Sequence, residues 1–127
     1  MSDRLRDKVT IVTGAGTGIG QAIAILFARE GAKVVICDRT PETLENTLST
    51  IGQNGGEAIA IHSDVTSEEQ VKELIRKTVE THGRLDVLVN NAGIGCVPKT
   101  IIDMTKADYD RIITGDLTSV FFCCKYA

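Results

Sequence analysis

The chain has 127 residues, 43% hydrophobic and 24% charged, with a formal net charge of −3. That length suits one domain with a single core, and the composition is that of a globular protein without low-complexity tracts. The absence of a basic excess argues against nucleic acid or anionic lipid as partners, and no apolar run approaches the ~20 residues that span a bilayer. The expectation is a soluble, cytoplasmic protein.

The first eight residues, Met1 to Lys8, are charged and carry no apolar segment behind a basic cap, so they do not read as a leader. Short β-branched runs then alternate with longer stretches of helical period, the pattern of βαβ units feeding a parallel sheet. Val9-Thr10-Ile11-Val12-Thr13 reads as the first strand, Gly14 to Gly20 as a loop, and Gln21 to Ala28 as a helix ended near Gly31. Lys33 to Cys37 is the second strand, and its helix opens at Thr40-Pro41 with Leu44, Leu48 and Ile51 on the buried stripe. Gly55-Gly56 punctuates, and Ala58 to Ile61 is the third strand. Thr66-Ser67-Glu68-Glu69 reads as a capping box for a helix that buries Val71, Leu74, Ile75 and Val79 and ends at His82-Gly83. Leu85 to Val89 makes the fourth strand, and a last helix runs from about Thr105 to the C-terminus. The predicted fold is a doubly wound α/β sheet, parallel and covered by helices on both faces, in one domain over residues 1–127.

Cys37, Cys96, Cys123 and Cys124 form no Cys-x-x-Cys pair, and His62 and His82 are far apart. Ligand spacing for zinc is missing, so no metal is expected and the cysteines read as small hydrophobes.

The loop Gly14-Ala15-Gly16-Thr17-Gly18-Ile19-Gly20 places glycines where a side chain would block a pyrophosphate from a helix N-terminus. Its spacing is G-x-x-x-G-x-G rather than G-x-G-x-x-G, and taken alone it reads equally as a flexible turn. Asp38 follows the second strand, 18 residues beyond Gly20, near the separation at which an acid reaches the adenosine ribose hydroxyls. An isolated aspartate there is also an ordinary turn residue. A 2′-phosphate about 4 Å from Asp38 would meet repulsion of about 4 kcal/mol at an effective dielectric of 20, which favours NAD over NADP. Arg39 beside it offers a guanidinium that offsets part of the penalty.

With Thr13-Gly14-x-x-x-Gly18-Ile19-Gly20, Asp64-Val65 after the third strand and Asn90-Asn91-Ala92-Gly93 after the fourth, the chain resembles the short-chain dehydrogenase/reductase family from about Lys8 to Ala127. The resemblance covers about half of a typical member, and it implies a Rossmann-like dinucleotide-binding domain over residues 1–127 with its sheet in strand order 3-2-1-4, truncated after the fourth βα unit. It implies NAD-dependent hydride transfer between the nicotinamide and an alcohol or carbonyl. It also implies that Asp64 bonds the adenine amino group, that Val65 packs on the ring, and that Asn90, Ala92 and Gly93 form the cofactor-edge turn. Without it, Asp64 is a turn residue and Asn-Asn-Ala-Gly a loop.

The family's serine, and its tyrosine with a lysine four residues on, have no counterpart here: Tyr109 has Ile113 four positions later, and Tyr126 has only Ala127 after it. The family's asparagine in the last helix falls on Asp116, which when ionised accepts but does not donate. Exchange to asparagine in a completed chain is therefore expected to raise turnover, although a solvated carboxylate is an equal reading. Helical spacing puts Asp116 at the edge of a stripe made by Ile113, Leu117, Val120, Phe121 and Cys124. That stripe and an open edge at the fourth strand predict self-association, as a homo-oligomer or aggregate. Two readings follow: an oxidoreductase of which these residues are the NAD-binding half, inactive alone, or a non-catalytic dinucleotide-binding or subunit-interaction module.

Overall fold

A computed structural model describes residues 3–95 and 97–127. Four parallel strands form one sheet in the order β3-β2-β1-β4, as predicted: β1 (Val9–Thr13), β2 (Lys33–Asp38), β3 (Glu57–His62) and β4 (Val87–Val89). Between them lie α1 (Gly18–Arg29), α2 (Pro41–Gln53) and α3 (Glu68–His82). Among the described residues no helix is long and apolar enough to cross a membrane.

Strand alternation divides the core between the two faces of the sheet. Val12, Val34 and Ile36 point to one face and pack with Ala24 and Ala28 of α1 and Leu44 and Ile51 of α2. Ile11, Val35 and Cys37 point to the other and meet Val71, Leu74 and Ile75 of α3. Covering both faces explains why the central strands read as continuous apolar runs.

Several boundaries differ from expectation. Ser67, not Thr66, caps α3, accepting from the Gln70 N–H at 3.4 Å. The Thr66 hydroxyl is taken by Asp64 Oδ1 at 2.7 Å in a tight local turn, which leaves the next residue to cap. Val79 is 42% exposed, so the buried stripe of α3 continues through Thr78 instead. The fourth strand omits Leu85 and Asp86: Asp86 faces the start of β1, its N–H donating to the Val9 carbonyl and its carboxylate accepting from the Val9 N–H, both at 2.9 Å.

The last helix is interrupted. α4 (Lys106–Ile113) starts at a capping box of Thr105 and Asp108, passes into a π-helical turn over Thr114–Thr118, and continues as α5 (Ser119–Tyr126). Its buried face is Gly115, Ser119 and Cys123, flanked by Phe122 and Tyr126. Leu117 and Phe121 are 60% and 57% exposed, which corrects the predicted stripe. Small residues win the inner face because approach is close: a Cβ on Gly115 would stand 2.9 Å from Ile94 Cγ1. Cys37 and Cys123 are buried as expected, Cys124 is exposed, and Cys96 lies outside the described residues.

Candidate functional site

The order β3-β2-β1-β4 makes the chain turn in opposite directions on the two sides of β1, and a crevice opens at that switch point beyond the carboxyl ends of the strands. It has a volume of about 450 Å³. Gly14 and Thr17 from the loop after β1, Gly18 and Ile19 from the start of α1, Asp38 and Arg39 at the end of β2, Asp64 and Val65 after β3, and Ala92 and Gly93 after β4 all line it.

The glycine loop takes its shape from close contacts. Gly14 and Gly18 have φ of +62° and +58°, in the left-handed region, and the space above Gly18 is open for at least 4 Å. Gly16 and Gly20 stand behind the cleft wall: a Cβ on Gly16 would overlap Thr43, and one on Gly20 would overlap the Gly14 carbonyl oxygen and the Asn91 amide. Thr17, the N-cap of α1, makes no side-chain capping bond, and the first turn of α1 carries no acidic residue. The N–H groups at that end of the helix are thus neither capped by a side chain nor screened by a carboxylate, the arrangement that favours an anion.

Asp38 is oriented by the backbone on two sides. Its Oδ2 accepts from Gly16 N–H at 3.1 Å and its Oδ1 from Thr40 N–H at 3.2 Å, which joins the second strand's end to the glycine loop. The Asp64 carboxyl is held below the usual range chiefly by the Thr66 hydroxyl, helped by the Thr66 N–H and the charges of Arg39 and His62, with burial opposing. Burial pushes the Cys37 thiol up, so this cleft residue stays a neutral thiol and supplies no nucleophile.

On the opposite side the wall rests on Thr13, the last residue of β1. Its buried Oγ1 accepts from Asn91 N–H at 3.0 Å and Ala92 N–H at 2.9 Å, and donates to the Val89 carbonyl at 3.3 Å. The Asn91 side-chain amide donates to the carbonyls of Thr13 and Gly14, each at 3.1 Å. Asn90 does not line the cleft; its amide donates to Cys124 Sγ at 3.5 Å. Asp116 sits in the π-helical turn behind the wall, and its Oδ1 accepts from Ile94 N–H at 2.7 Å.

Thr40, Ser63, Thr66, Asn91, Ile94 and Gly115 also line the cleft and were not singled out from the sequence. Asn91 and Ile94 had a signal, since Asn91 lies within the motif after β4 and Ile94 adjoins it. Gly115 had none, because it arrives through the packing of the π-helical turn against Ile94.

Residues 8–127 match the family model described as short chain dehydrogenase. Among curated proteins, the chain is 42% identical to secoisolariciresinol dehydrogenase of Forsythia intermedia, the match covering 98% of this chain and 44% of that protein. Among solved structures, a short chain dehydrogenase from Mycobacterium smegmatis superposes with a TM-score of 0.93 at 44% identity, covering 98% of this chain and 52% of that one. A 7α-hydroxysteroid dehydrogenase complexed with NADH and 7-oxo glycochenodeoxycholic acid superposes with a TM-score of 0.91 at 41% identity, covering 97% of this chain and 48% of that one. The chain therefore spans about half the length of the relatives it matches.

Proposed function

Because the chain belongs to the short-chain dehydrogenase family, we propose that the cleft is an NAD(H) site and that these residues are the cofactor-binding half of an oxidoreductase acting on an alcohol or carbonyl. The observation that carries this reading is the junction of Asp38 with the glycine loop, Oδ2 to Gly16 N–H at 3.1 Å, which sets a ribose acceptor beside a phosphate cradle. The cleft wall of Gly14, Thr17, Gly18 and Ile19, at the α1 N-terminus, receives the pyrophosphate, while Gly16 and Gly20 let the loop close behind it.

Asp64 accepts from the adenine amino group and Val65 packs on the ring. Ala92 and Gly93 let the backbone approach the ribose on the nicotinamide side, with Asn90 supporting that turn from behind. NAD is favoured over NADP, because Asp38 faces the ribose hydroxyls and a 2′-phosphate about 4 Å away would be disfavoured roughly a thousandfold before screening. Arg39 lines the same cleft and moderates that preference. Bound nicotinamide supplies the hydride chemistry; the residues here bind and orient it.

A second reading, a dinucleotide-holding module without turnover, is favoured for these 127 residues by themselves, since they contain no Tyr-x-x-x-Lys. Calorimetric titration of the chain with NADH and NADPH, beside Asp38→Ala, tests the site. Saturable binding that prefers NADH and weakens tenfold or more in the variant is expected; a folded chain that binds neither would overturn it. Assay with alcohols and ketones under saturating cofactor then separates the readings, and binding without turnover is expected. The exposed Leu117 and Phe121 support self-association through the last helix, and light scattering that gives a clean monomer would count against it.

A further inference from the structure

Asp38, Arg39 and Asp64, the charged residues that line the cleft, all lie at or just beyond the ends of β2 and β3. Asn91, Ala92, Gly93 and Ile94, which follow β4, carry no charge, nor does Gly115 beside them. In the order β3-β2-β1-β4 the ends of β3 and β4 are three strand spacings apart, roughly 14 Å, so the two groups of residues occupy opposite walls. The charge that abuts the second wall comes from behind it. Asp116 Oδ1 accepts from Ile94 N–H at 2.7 Å and stands 2.9 Å from where a Cβ on Gly93 would be, and the preceding residue, Gly115, itself lines the cleft. The carboxylate is fixed there by the widened backbone of the π-helical turn, a local distortion that recurs at functional positions.

We propose that Asp116 biases the cleft between the two oxidation states of its cofactor, shifting the ratio of affinities toward the oxidised form, with its cationic nicotinamide ring, and away from the reduced form, with its neutral ring. This rests on the NAD(H) reading of the cleft, with the nicotinamide toward the wall after β4. The two forms share their adenosine and pyrophosphate, so the repulsion of Asp116 for phosphate is common to both and cancels in the ratio of affinities. What remains is attraction for the ring charge, which exists only in the oxidised form. Asp116 is exposed, so solvent screens the interaction and the expected discrimination is about threefold. In consequence the bound couple is harder to reduce than it would be without that charge.

Dissociation constants for NAD+ and NADH, measured by calorimetry on the chain and on Asp116→Asn, Asp116→Glu and Asp38→Ala, test this. Asparagine keeps an Oδ1 acceptor for Ile94 N–H and removes only the charge. The ratio of the NAD+ to the NADH dissociation constant is expected to rise about threefold in Asp116→Asn and to stay near the original in Asp116→Glu. Asp38→Ala is expected to weaken both forms and leave the ratio unchanged, because it acts on the part they share. An unchanged ratio in Asp116→Asn, with both forms still binding, overturns the proposal and leaves the NAD(H) site standing. A folded chain that binds neither form overturns both.

Discussion

β1 is buried at every position, whereas β4, its neighbour in the sheet, is only half-buried at each of its three residues, and α4 has no buried residue. The cleft draws one wall from each region. Asp38 ends a strand locked between α1 and α2 on one face and α3 on the other, so packing positions its backbone, while the Gly16 and Thr40 N–H groups orient its carboxylate. Gly93 and Ile94 are held instead by directed bonds: Thr13 under Asn91 and Ala92, Asp86 on Val9, and Asp116 on Ile94. The first wall should therefore fail when volume is removed, and the second when a polar partner is removed.

The largest effect belongs to the packed region. Leu74→Ala removes a fully buried side chain between α3 and the sheet and is expected to cost about 3 kcal/mol, seen as a fall in Tm of roughly 10 °C. A loss under about 1 kcal/mol would mean that this face is not a close-packed core.

Thr13→Val should come next. It keeps the shape, but takes the acceptor from the Asn91 and Ala92 N–H groups, at an expected cost of about 2 kcal/mol by denaturant unfolding. NADH affinity should fall as well, since the wall after β4 loses its support. Unaltered stability would show that packing, not hydrogen bonding, holds that wall.

Phe121→Ser, on the exposed side of α5, should change monomer stability by no more than about 0.5 kcal/mol. A loss as large as that of Leu74→Ala would show that something covers this face in solution.

The smallest effect concerns the α4 cap. The Lys99 ammonium, with the Thr105 N–H, pulls the Asp108 carboxyl down to about 2 from an ordinary 3.8. A lowered carboxyl stabilises the fold above the ordinary value and loses that contribution as pH falls through the lowered one. Circular dichroism in acid should thus show a small helical loss between about pH 4 and 2 that Asp108→Asn lacks; identical titrations would exclude the cap as its source.

The sheet was readable because β-branched runs and glycine punctuation are local, and the strand order came with the family resemblance that the motifs at the strand ends carry. Asp38 and the glycine loop were readable because each lies at a strand end, whereas Asp64 came only with that resemblance. Leu117 and Phe121 misled, because periodicity identifies an apolar face without saying which neighbour covers it. Gly115 and Ser119, small and unremarkable in sequence, are buried because Gly115 permits close approach to Ile94 and because Ser119 returns its hydroxyl to the Gly115 carbonyl at 2.7 Å. Thr66 and Ser67 were separable only once the Asp64 turn was seen to occupy the first hydroxyl.

Thr13 has a consequence for local opening of the backbone. Asn91 and Ala92 belong to no strand or helix, yet their amides end on a hydroxyl that is 1% exposed. Their hydrogens cannot exchange with solvent by loop fluctuation alone, because release requires the end of β1 to part from the turn. In an amide-exchange experiment these two positions should keep pace with the strand interior. A segment that looks like a loop by its dihedral angles would then share the opening equilibrium of the sheet.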